Sequence, residues 1–420
     1  MNDSTVTAAK TLVVLLVLTS AAGATEFFVK QDGTGPGGYT NIQSALNAAR
    51  ADVDGAHTIT ILDSANYDES VVSGNANPYP STNDFFTFRA APGQSPKLYA
   101  YSHNQLRGCG LAFYNLTFDS RIHWPGNGFT NDGAIYYRPS LNPNFAEPLH
   151  IENCVFQGGS NWISAYGVTV RIGYAGKRAM IVSNRFDISE APAKGRGVDV
   201  YAGDNKADMF IVSNYFHGYD GVYDYNGAAV SFRRDIRYNV FDSMFHGSFY
   251  HRSVPDPTNT FIVHNTFHKG ASNDQFNSGA IFVRWTDSST PNDIGLTAMD
   301  NLFYGSGTNS ANYDGLYFYM TTPTNSSISF NGFCNMRQVG GIDRPACWSN
   351  YVWRTIGEVN AIPGCSNNVV NNTDPFVDAA HGDFRLKPGS WALTAGSDGG
   401  YIGALGTLSK PGSGTFVLLR

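Results

Sequence analysis

Charged side chains are scarce in this chain, making up only 15% of its 420 residues. Long solvent-facing helices and coiled coils need far more of them, so neither is expected. A basic stripe is missing as well: 28 Lys and Arg against 34 Asp and Glu leave a formal charge of −6. That balance argues against nucleic acid as a partner, although local arginines can still face acidic ligands. Cysteine is rare, and the five present show no CxxC or Cys/His spacing of a zinc site. Cys334, Cys347 and Cys365 lie close enough in sequence for two of them to pair in an oxidising compartment, while Cys109 and Cys154 are expected as buried thiols. Long apolar runs are lacking except for Leu12 to Leu18, which follows Lys10 and precedes the small residues Ala22-Gly23-Ala24. This has the form of a secretory signal and is short for a membrane span of about 20 apolar residues. Residues 1–24 are therefore expected to be a signal peptide, giving a secreted protein (extracellular or periplasmic) without a membrane partner.

Glycine, tyrosine and phenylalanine are abundant, at 45, 23 and 28 residues, and a short phrase recurs down the middle of the chain. In its fullest form it is Ile-x-x-Asn-x-Phe, at Ile181 to Phe186, Ile211 to Phe216, Ile236 to Phe241 and Ile262 to Phe267. Looser copies stand at Met299 to Phe303 and Ile328 to Phe333, and Ile151 to Phe156 has Cys154 in the asparagine position. The asparagines Asn184, Asn214, Asn239, Asn265, Asn301 and Asn331 are 30, 25, 26, 36 and 30 residues apart. A unit of that size with uneven insertions marks a solenoid whose loops vary on one side. Asparagine tolerates a left-handed backbone, so each is expected to turn a tight corner between two short strands. Stacked corners would then place the amides in a ladder and the phenylalanines in an internal column. The pattern predicts an all-β fold, a parallel β-helix.

A second column gives the other strand of each coil. Gly133, Gly167, Gly197, Gly221, Gly247, Gly279 and Gly315 each open a run of apolar and aromatic residues. Aligned on their glycines and read with strand alternation, the runs put Ala134, Val168, Val198, Val222, Ala280 and Leu316 on the core side. Val170, Val200, Phe282 and Phe318 follow on the same side. The other face then carries Tyr137, Arg171, Tyr201, Tyr223, Tyr225, His251 and Tyr319 on coils about 4.8 Å apart. Asp224 falls on the core side, where a charge needs a partner.

Ahead of the repeats, Thr40 can cap a helix from Asn41 to Arg50 with Ile42, Ala45, Leu46 and Ala49 on one face. Such a helix would cover the strand edges at the open end. The tail from Asp374 to Gly396 is expected to close the other end. One domain is expected over 25–420: a cap and first coils in 25–109, central coils in 110–333, and last coils with a cap in 334–420. The Gln31-Asp-Gly-Thr34 opening, the capping helix, the Asn-x-Phe corners and the tail resemble the secreted right-handed parallel β-helix proteins of the pectate-lyase-like superfamily. Trp391 stands where the tail of such proteins usually has proline. The resemblance covers nearly all of the chain after residue 24 and implies a single-stranded right-handed parallel β-helix. Its members include lyases, hydrolases, epimerases and adhesins, so the fold does not fix the reaction. The motifs of polygalacturonases, of the epimerases and of chondroitinase B-like lyases are not present.

Chemistry is expected on the outer face of the glycine-led strands. β-Elimination of a uronate needs a base for the proton next to the carboxylate and a cation for the charge that develops. His251 or Tyr225 would be base or acid, and Arg252 and Arg284 would grip the carboxylate in a planar fork. Tyr137, Tyr201 and Tyr319 would be platforms for sugar rings, with Arg138, Arg171, Tyr223 and Asn226 as further contacts. Two alternatives use carboxylates. Asp199 with Asp220 or Asp224 could be the acid and base of a glycoside hydrolase, or Asp199, Asp204, Asp220 and Asp224 could hold calcium. The expected function is that of a monomeric, exported enzyme cleaving an acidic polysaccharide, most simply a lyase. A carbohydrate-binding or surface protein without catalysis is the rival from a different class.

Overall fold

Among the described residues, successive turns of the chain lay down short strands in three sheets stacked coil upon coil, the third joining from Ile135–Tyr137 onward. All pairs in these sheets are parallel except the last of the third. The computed structural model describes residues 25–406 apart from 53–54, 71–82, 101–108, 120–133, 138–143, 158–165, 171–176, 188–195, 202–207, 219, 226–232, 245–246, 253–258, 270–277, 285–295, 306–312, 320–322, 340–341 and 349–351. The expected signal peptide thus lies outside the described residues. The first sheet runs from Thr25–Val29 to Ser327–Ser329, the second from Asn66–Ser70 to Val369–Val370, and the third from Ile135–Tyr137 to Val352–Arg354. This is the parallel β-helix that the repeat predicts.

The corner between first and second sheets is two residues long in every coil from Gly110–Tyr114 onward, as with Ser183 and Asn184 between Arg178–Val182 and Arg185–Asp187. The left-handed residue, however, is the one before the asparagine. Ser183, Ser213, Tyr238, His264, Asp300 and Phe330 have φ between 54° and 59°. Because the preceding residue turns the chain, the asparagine side chain can point inward, where it is fully buried. Asn239 shows the pattern: its Nδ2 donates to Ile211 O at 2.8 Å and to Asn265 Oδ1 at 3.0 Å. Its own Oδ1 accepts from the backbone N–H and the amide of Asn214 at 2.9 and 3.0 Å. The ladder begins at Cys154, whose N–H bonds Asn184 Oδ1 at 2.9 Å, and continues through Asn331 to Asn368 and Asn360. Beside it runs the phenylalanine column from Phe118 to Phe333, with ring centroids 4.6–5.0 Å apart.

The ends are closed by helices. In α1 (Ile42–Ala51) the expected apolar face is buried, but the N-cap is Asn41, not Thr40, its side chain accepting from Ser44 N at 2.8 Å. The Glu69 carboxylate takes the next free N–H groups, those of Ile42 and Gln43, at 2.6 and 2.9 Å, a favourable place for negative charge. At the far end α2 (Ile356–Asn360) buries Val359 in the core, and its Asn360 terminates the asparagine ladder.

The tail does not plug the end. It lies along the outer face of the second sheet, with Phe376, Phe384, Leu386 and Ile402 packed on Val240, Leu302, Tyr304 and Cys334. Asp300 receives the N–H and hydroxyl of Ser397 at 2.7 and 2.8 Å. Gly332 makes room for this, since a Cβ there would stand 2.3 Å from Ile402 Cδ1. The pairing open to Cys334, Cys347 and Cys365 is not made, and all five cysteines are free and buried. Cys334, Cys347 and Cys365 belong to three different apolar clusters, so proximity in sequence did not bring them together.

Candidate functional site

The register of the third sheet decides which of the expected residues share a face. Val198, Val222, Phe249, Ile281 and Leu316 align in one inward column, and Val200, Asp224, His251, Val283 and Phe318 in the next. The glycine alignment therefore slips by one residue at Gly133, Gly247 and Gly279. Gly247 and Gly279 align with Asp220 and Asp314, and Ile135 rather than Ala134 pairs with Val168. The position just before the first inward residue of these strands must be small because the phenylalanine column fills the space beside it. A Cβ on Gly197 or Gly221 would lie 2.5 or 2.6 Å from the ring of Phe216 or Phe241. Ser248 and Ala280 meet that need in the slipped strands, so glycine is not the marker of register.

Two predicted site residues change faces as a result. Tyr137 is inward and fully buried, its hydroxyl donating to Cys109 O at 2.8 Å. His251 is inward as well, 5% exposed, with Nδ1 2.9 Å from Asp224 Oδ2. Arg234, reaching in from the first sheet, closes the cluster with its Nε against the same oxygen. Burial works to raise the Asp224 carboxyl, but Arg234 and His251 outweigh it and hold it below the usual range. The charge that the sequence placed in the core thus has partners, and those partners take His251 away from the outer face.

Facing outward, Asp199, Tyr223, Tyr250, Phe282, Tyr317 and Cys347 form one column. Its rings stack on one another, with centroids 4.7, 4.7 and 4.9 Å apart from Tyr223 to Tyr317. Stacked rings use their faces on each other, so Tyr223 is not a platform for a sugar. Its remaining face is covered by Arg196, whose guanidinium carbon is 3.4 Å from the ring centroid. Arg196 is also shared by two carboxylates, Asp199 at 2.9 Å and Asp220 at 3.7 Å. At the other end Arg337 repeats the arrangement, 2.8 Å from Asp314 and 4.9 Å from the ring centre of Trp353.

One column further on stand Tyr201, Tyr225, Arg252, Arg284 and Tyr319, in register on five successive strands. Tyr319 is half-buried, and for the other four the backbone alone is described. Arg138, Arg171, Asp204 and Asn226 lie outside the described residues. The carboxylates do not converge: Asp199 and Asp220 share Arg196 on the outside, whereas Asp224 is on the inside. Among the described residues no group of three or more His, Cys, Asp or Glu side chains is placed to hold a metal ion. The sequence reading missed Arg196, Arg234, Asp314 and Arg337. The only signal for Arg234 was that the buried Asp224 required a cation from elsewhere. Compared with models of known protein families and with curated proteins, the chain matches none.

Proposed function

We propose that this protein is an exported enzyme of the pectate-lyase-like β-helix type that cleaves an acidic, uronate-containing polysaccharide by β-elimination along the third sheet. The observation that carries the proposal is the register column Tyr201, Tyr225, Arg252, Arg284 and Tyr319, which lines up two arginines between tyrosines on adjacent strands. Strand spacing puts Arg252 and Arg284 about 4.8 Å apart along the axis, close enough to share one carboxylate. Their charge would stabilise the carbanion-like state at the neighbouring carbon. Tyr225 would then take the proton next to the carboxylate. The bond from the adjacent carbon to the glycosidic oxygen breaks as the double bond forms, and a proton passes to the leaving oxygen. His251 has no part in this scheme. A hydrolase built on Asp199 and Asp220 has less support, since both acids lie within ion-pairing distance of Arg196.

The test is to incubate the purified protein with acidic and neutral polysaccharides, following ultraviolet absorbance and reducing ends together. Absorbance rising with reducing ends, and lost in Arg252→Ala, is the expected result. Reducing ends without absorbance would mean hydrolysis, and no product from any glycan would leave a binding protein.

A further inference from the structure

The outer face of the first sheet carries a feature that neither the core nor the proposed chemistry uses. Met180, Phe210, Asp235 and Phe261 are in register on four successive strands, and the two phenylalanines are only half-buried. Arginines alternate with these rings. The Arg178 guanidinium is 5.8 Å from the centre of Phe210, and that of Arg233 is 5.9 Å from Phe210 and 4.8 Å from Phe261. Arg233 is anchored by the buried Asp235, through Nε at 3.1 Å and Nη2 at 2.7 Å, and is still 44% exposed. Arg237 flanks the same carboxylate from the other side. Thus on these four strands three arginines meet two acids, Asp235 and Asp208, and Asp235 is buried, while Glu152 on the next strand is paired with His150.

We propose that this face is a second docking surface, for an anionic polysaccharide lying along the solenoid axis. Charge complementarity and spacing both support that occupant. Arg178 pairs in register with Asp208, and Arg233 lies one strand beyond, its N–H on the Asp208 carboxylate at 3.0 Å. The backbones that carry the two arginines are therefore about two strand spacings apart, roughly 10 Å, the span of a disaccharide in an extended chain. Carboxylate or sulfate groups on alternate sugars would meet the guanidinium forks, and the sugars' C–H faces would cover Val182, Val212 and Val263, also half-buried on this face. Such a surface would hold the polymer without cleaving it and so stands apart from the proposed lyase chemistry.

The test uses the full chain with polygalacturonate, chondroitin sulfate and uncharged dextran in affinity electrophoresis, at low and high salt. Arg178→Glu is the informative variant, because Arg178 is exposed and its loss strips no partner from the buried Asp235. Arg252→Ala serves as the comparison on the third sheet. The expected result is binding of one or both anionic polymers, weakened by salt and at least fivefold weaker in Arg178→Glu, with most of it kept in Arg252→Ala. Equal binding by Arg178→Glu and the parent chain, or no binding of either anionic polymer by the parent, would overturn the proposal. So would a dimer in sedimentation that Arg178→Glu dissociates, since the face would then belong to a second copy. Binding through Arg178 without any product would sink the lyase proposal and leave this one intact.

Discussion

Replacing Asn239 by alanine is the most direct test of what holds the coils in register. Asn239 sits mid-ladder and its side chain makes four hydrogen bonds, accepting two from Asn214 and donating one each to Ile211 O and Asn265 Oδ1. In the alanine variant the buried N–H of Asn214 loses its partner, and Ile211 O loses a donor. The amide of Asn214 keeps Ile181 O at 2.8 Å, and Asn265 Oδ1 keeps the N–H of Asn239 at 2.9 Å, so those two groups are not stranded. Each stranded buried group costs about 1–3 kcal/mol, which puts the loss at roughly 3–5 kcal/mol with the small void included. Asn184→Ala should cost about as much, because it too leaves one backbone N–H, that of Cys154, and one carbonyl, that of Ile151, without the side-chain partner. Urea unfolding followed by circular dichroism would compare the two. A solenoid need not unfold in one step, so midpoint and slope should be read together. A loss below about 1 kcal/mol for either variant, or a difference of more than about 2 kcal/mol between them, would refute the view that each rung is held by the same set of buried bonds.

Three further outcomes follow. Arg234→Met alone should destabilise by about 3–5 kcal/mol, because Asp224 keeps only His251 as a partner. The triple variant Asp224→Val, Arg234→Met, His251→Val, which copies the in-register neighbours Val200, Met209 and Val283, should unfold near the parent midpoint and keep activity; lost activity in a folded triple variant would return the cluster to the chemistry. Acid should act in two stages. His264, stacked on Tyr238 and against Tyr401 of the tail, is held below the usual imidazole range by burial and Arg237 despite Asp300 and Asp398. A depressed histidine favours the folded state less as pH falls through about 6.5, so the tail should become protease-sensitive first. Asp224 and Asp242, both depressed carboxylates, lose their contribution only below about pH 4, and circular dichroism should hold until then. At the basic side, His150 is raised to about 9, its pairing with Glu147 and Glu152 outweighing burial. Its contribution is therefore full below about 6.5 and lost as pH rises through 9, a decline that Glu152→Gln should flatten in thermal melts.

How far the sequence could be read depended on whether each column had one physical cause. The Asn and Phe columns do: a buried amide must bond the next coil, and a ring must stack on the next ring, so spacing alone reveals the coil. The corner residue was misplaced because serine, tyrosine, histidine, aspartate and phenylalanine all occupy the left-handed position. No residue type marks it. The glycine column misled because any small residue next to the phenylalanines suffices, and one slipped position turned His251 from the outer face to the core. Arg196 and Arg337 were illegible because each covers a ring distant in sequence, Tyr223 or Trp353.

The two-residue corner between first and second sheets also decides where this chain can evolve. An inserted residue there would break a rung of buried amides and offset the rings on either side. The remaining connections, which flank the third sheet, range from the two residues between His217 and Asp220 to the fifteen between Asp119 and Ile135. Growth is thus confined to the rims of one face, leaving the spine of the molecule constant. New loops could be grafted coil by coil at those rims, and the same scaffold could acquire or lose specificity one segment at a time.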